Sequence, residues 1–151
     1  MNTIKSGILR GFATAGLALG LMVSAPAAAF AQQAGAAKLS IELNTLSQQD
    51  SACRMIFLVK NAMGKDLERA VFETVLFKSD GSVDRLTLFD FQTLPAGRPR
   101  VRQFDISGTK CEALGRVLFN DVHVCTGEGI TGSDCIDALE LSTKTAVEVL
   151  G

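Results

Sequence analysis

The side chains best suited to chemistry lie in one short run, Asp121-Val122-His123-Val124-Cys125. If that run is a strand, alternation puts Asp121, His123 and Cys125 on one face, with successive Cα atoms about 6.5–7 Å apart. A thiolate beside an imidazole can bind copper or zinc, or act as a nucleophile oriented by the acid. Cys135, if brought close, would complete an N, S, S set open to a metal. Two facts oppose this reading. His123 is the only histidine in the chain, and neither H-x-x-x-H nor C-x-x-C spacing occurs. Oxidation of Cys125 would also leave no thiolate to offer. A metal or thiol protein using His123, Cys125 and Cys135 is therefore the alternative reading, and the leading one expects no cofactor and no catalytic residue.

A second set is Arg98, Arg100 and Arg102, which alternate around Pro99. On one face of an edge strand they would form a ridge able to hold an anion or a partner. The competing reading is an edge kept from pairing with other sheets by charge and proline. Asp84, Asp90 and Asp105 are available to neutralise the arginines.

What positions these residues depends on the compartment. Lys5 and Arg10 precede an apolar run over residues 11–23, then Pro26 and Ala29-Phe30-Ala31, an A-x-A cleavage site before Gln32. The run is shorter than the roughly 20 residues that span a bilayer, and Gly11, Gly16 and Gly20 thin it. Residues 1–31 read as a signal peptide, residues 32–37 as a disordered leader, and residues 38–151 as one exported domain without a transmembrane segment. Loss of Lys5 and Arg10 leaves thirteen basic residues against sixteen acidic ones, a formal charge of −3. That balance gives no counterion-release drive toward nucleic acid and suits a dispersed monomer.

Beyond the leader, short alternating or apolar runs are separated by turn signals. Leu39, Ile41 and Leu43 alternate with polar residues, and residues 53–59 are apolar on both faces, as a central strand would be. Residues 68–78 mix helical spacing with β-branched residues. The Asp80-Gly81 pair and a returning run over residues 83–91 favour a hairpin. Further strands are expected over residues 100–106, 116–124 and 136–150, with a polar loop over residues 126–134. About seven strands at this spacing point to an all-β, immunoglobulin-like antiparallel β-sandwich, with a small Greek-key barrel second.

In that topology the second and sixth strands run in the same direction across the core. Cys53 and Cys111 then fall at one end and Cys125 and Cys135 at the other, which predicts the bonds Cys53–Cys111 and Cys125–Cys135. The chain has no Trp and no Tyr, which disfavours a sugar-binding face. G-x-S-x-G and phosphate-loop motifs are missing as well.

Several stretches together resemble a known family: residues 53–61, Val75-Leu76-Phe77 before Asp80-Gly81, Leu94-Pro95-Ala96-Gly97, Phe104-Asp105, and Cys111 ahead of residues 117–122 and Cys125. They are similar to an uncharacterised family of small exported bacterial proteins labelled Tat-pathway signal-sequence domain proteins. The likeness spans most of residues 38–150, although this chain lacks the paired arginines of that label. The resemblance implies a Gram-negative periplasmic home and the four-cysteine pattern, and it brings no activity and no functional residues. The expected function is a non-enzymatic periplasmic domain that binds or scaffolds another envelope component through edge strands and loops.

Overall fold

The computed structural model describes residues 38–151, so the expected signal peptide (residues 1–31) and leader (residues 32–37) lie outside the described residues. Eight strands follow one another: β1 (Leu39–Gln48), β2 (Ala52–Asn61), β3 (Leu67–Lys78), β4 (Val83–Leu94), β5 (Arg100–Ser107), β6 (Leu114–Thr126), β7 (Leu139–Thr143) and β8 (Glu148–Leu150). Sheet A has the order β5-β2-β1-β7 and sheet B the order β4-β3-β6-β8. The all-β sandwich expected from the sequence is the fold. The order β1-β2-β5 facing β4-β3-β6 is the immunoglobulin-like one.

Each sheet turns one side of its pleat inward. Leu39, Ile41 and Leu43 of β1 and Met55, Phe57 and Val59 of β2 are fully buried, facing Phe72 and Leu76 of β3, Phe89 and Phe91 of β4 and Phe119 of β6. Phenylalanines are the largest side chains of this interior. The Phe57 ring lies 5.6–6.3 Å from the rings of Phe89, Phe91, Phe104 and Phe119, in tilted or edge-on contacts that suit the aromatic quadrupole. Phe104 stacks on Phe89 at 4.4 Å and closes the core at the β4/β5 flank.

Buried polar groups are paired. Asn61, almost fully buried, donates to the Lys65 and Leu94 carbonyls and accepts the Met63 amide, so it organises the turn that leaves β2. The β3–β4 hairpin turns at Asp80-Gly81, where Gly81 adopts φ +86° as the tight return requires.

Three local expectations are corrected. Residues 53–59 are apolar on both faces, yet only one face is buried: Ile56 is half-buried and Leu58 is exposed. Residues 126–134 are not all loop, because a short helix, α1 (Gly132–Asp137), starts there with the Asp134 carboxylate accepting the Thr131 amide. The final run over residues 136–150 is two strands rather than one. β7 pairs in parallel with β1, the chain reverses, and β8 pairs in parallel with β6 in the other sheet. The sandwich is therefore antiparallel except along this one flank.

Candidate functional site

Cysteine pairing follows from the strand directions. Cys53 opens β2 and Cys111 precedes β6; they are bonded with Cα atoms 4.8 Å apart. Cys125 near the end of β6 is bonded to Cys135 in α1, with Cα atoms 6.5 Å apart. Both separations fall in the range a disulfide spans. Both expected bonds are present, one at each end of the sandwich.

The Asp121, His123, Cys125 face does not form. Val71 pairs with Val124 and Phe72 with Val122, so His123 has no opposite residue and sits in a bulge. A second irregularity at Asn120 shifts the register again. The strand therefore buries Phe119 and Cys125 while Asp121 and His123 are exposed. Cys125 and Cys135 are consumed by their own bond. Among the described residues no group of three or more His, Cys, Asp or Glu side chains is arranged to hold a metal ion.

The arginine ridge also comes apart. Arg98 precedes β5, while Arg100 and Arg102 share the inward-turning side of the edge strand with Phe104 and Ile106. Arg102 donates through Nε to the Phe91 carbonyl at 2.7 Å and through Nη2 to the Thr93 carbonyl at 2.9 Å. It thereby ties the edge of sheet A to the edge of sheet B. Arg85 of β4 answers in the opposite direction, donating to the Ser107 carbonyl and to Thr109 Oγ1. The carboxylates considered for the ridge are engaged elsewhere: Asp84 with Arg85, Asp90 with Arg69 and Asp105 with Arg54. The Arg54 guanidinium grips both Asp105 oxygens, and that hydrogen bonding holds the Asp105 carboxyl below the usual range.

The feature that periodicity alone did not disclose is the outer face of sheet B. Register places Leu86, Val75, Leu118 and Leu150 in one row across all four strands. Val75 and Leu118 alternate with Thr74, Leu76, Val117 and Phe119 of the core-facing side; Val75 is itself buried at 8% exposure and Leu118 is half-buried, so they form the covered middle of the row. Leu86 is 63% exposed, and Leu88, Val83 and Leu150 are also exposed. The individual apolar residues were legible as strand formers. Their alignment was not, because it depends on three pairing registers.

Beside this row, Glu73 lies between Leu88 on β4 and Asp121 on β6. Glu73 accepts a hydrogen bond from Asn120, and Asp121 accepts its neighbour's amide at Val122. Among the described residues neither carboxylate has a cation within ion-pair distance. The face is bounded by two ion pairs, Arg116–Glu148 and Arg69–Asp90. It thus combines an apolar row with two adjacent, unneutralised acids.

A groove of about 770 Å³ lies at the Cys53–Cys111 end, bordered by Asp50, Lys110 and Glu112, all of them exposed. A scan against protein-family models and searches of curated proteins and of solved structures find no match to this chain.

Proposed function

We propose that the chain is a non-enzymatic periplasmic binding or scaffolding domain whose working surface is the outer face of sheet B. The observation carrying this reading is the four-strand apolar row with Leu86 and Leu150 open to solvent. A sheet that faces only water alternates to polar residues on its outer side. Sheet A largely does so, with Ser40, Glu42, Arg54, Lys60, Gln103 and Asp105 outward. Single exposed apolar residues need no explanation, but Leu86 and Leu88 lie exposed side by side on one face of β4, and a grouped apolar exposure marks an interaction surface. The periplasmic address, cleavage after Ala31, kinship with small exported bacterial proteins and an envelope protein as partner belong to the same proposal. Two disulfides and, among the described residues, no helix long and apolar enough to cross a membrane support it.

The test is photo-crosslinking in intact cells, with the reactive side chain at Leu86 or, as control, at Ser142 on the outer side of sheet A. A discrete adduct from position 86 and none from position 142 is the expected result. No adduct from position 86 would remove the reading.

A further inference from the structure

We propose that the occupant of the sheet B face is a second copy of this chain, docking through the β2–β5 edge of its sheet A. The inference rests on the reading just given, that the face binds protein, and names what covers it. Sheet A carries one apolar spot on its otherwise polar outer side. Leu58 and Val101 are direct cross-strand partners, 38% and 55% exposed, with half-buried Ile56 beside them. Glu42, the β1 partner of Leu58, is engaged by Lys144, and the charge left without a partner near the spot is basic. Lys60 follows Val59, whose partner is Arg100, so Lys60 and Arg98 flank the same end of the strand pair. Both are exposed, and among the described residues neither has an acidic partner.

The two patches are complementary in both respects that matter. Leu86 and Leu88 offer apolar contact to Leu58 and Val101. Glu73 and Asp121 carry the unneutralised charge opposite in sign to Lys60 and Arg98. A twofold pairing of sheet B against itself about an axis along the strands near Glu73 would instead bring the Glu73 and Asp121 carboxylates toward the same groups of the other copy, and the heterologous arrangement has no such like-charge cost. Because the patches sit on opposite sheets, each copy keeps one free patch after docking. Association is then head-to-tail and open-ended.

Sedimentation velocity of the exported chain tests this, with loading up to about 1 mM, where weak contacts become populated. The unmodified chain should form species that grow past the dimer with concentration and shrink as salt is raised. Leu86→Lys disables one patch and Leu58→Glu the other, so each variant alone should be monomeric with its melting temperature unchanged. An equimolar mixture should give a one-to-one dimer and nothing larger, since only one intact contact remains. Should either variant fail to fold, Leu88→Lys and Val101→Glu serve in their place. An unmodified chain that stays monomeric, a Leu58→Glu chain that associates normally, or a mixture that stays monomeric overturns the proposal. A monomeric chain that still crosslinks from position 86 to a different protein overturns self-association and leaves the binding surface standing.

Discussion

The two disulfides close loops of very different length, so deleting them should have unequal costs. Cys53 and Cys111 are 58 residues apart and Cys125 and Cys135 are 10 apart. Loop-closure entropy at 25 °C then assigns about 4 kcal/mol to the long loop and about 3 kcal/mol to the short one. Both values are large against a typical domain stability of roughly 5–15 kcal/mol. The paired variants Cys53→Ala/Cys111→Ala and Cys125→Ala/Cys135→Ala isolate the two bonds without changing redox conditions. Urea unfolding followed by circular dichroism reads each loss from the shift in midpoint at a given slope. The expected order is a larger loss for the long loop, by about 1.5 kcal/mol. A larger loss for the Cys125–Cys135 pair would refute the reasoning. It would mean that local tethering of α1, rather than restriction of the unfolded chain, dominates.

Arg102→Met keeps the aliphatic packing and removes two charge-assisted hydrogen bonds to carbonyls of β4, at a cost of about 1–2 kcal/mol. Arg98→Ala and Arg100→Ala should each stay within about 0.5 kcal/mol of the parent, and equal melting temperatures for all three variants would contradict this. For Asp105, hydrogen bonding to Arg54 lowers the folded-state pKa. Its stabilising contribution is therefore present above the unfolded value near ~3.9 and is lost as pH falls through the lowered folded value. Asp105→Asn should flatten the acid limb of a plot of melting temperature against pH. An unchanged limb would show that the ion pair contributes nothing to acid sensitivity.

Much of the sandwich was legible because its strands obey simple rules. Alternation at residues 39–43 and the Asp-Gly turn at residues 80–81 gave the correct elements, and strand direction then gave the cysteine pairing. The misreadings share a cause: local chemistry that breaks a period without changing residue type. Thr143 and Thr145 look like strand formers. Their hydroxyls instead accept the amides of Thr145 and Val147 and build the turn that splits β7 from β8. The irregularities at Asn120 and His123 cost the metal reading its common face, and a bulge leaves no mark on a two-residue period. Thr131 three residues before Asp134 was a usable helix-start signal, hidden in a run rich in glycine. In the arginine triplet the shared parity of Arg100 and Arg102 was right and the side was wrong. Val101 on the other side of β5 is exposed, and Arg102 leans inward to reach the neighbouring sheet while Arg100 donates to the Pro99 carbonyl.

The covalent ties sit at the top and bottom of the sandwich, and the β4/β5 flank is laced by Arg85 and Arg102. The opposite flank is held by strands of only five and three residues. Native-state breathing is thereby channelled to that seam, because local opening starts where the fewest backbone bonds must break. Exposure of the Leu139–Leu150 tail to a protease would then track a small local fluctuation, while both bridged ends and the phenylalanine interior stay closed.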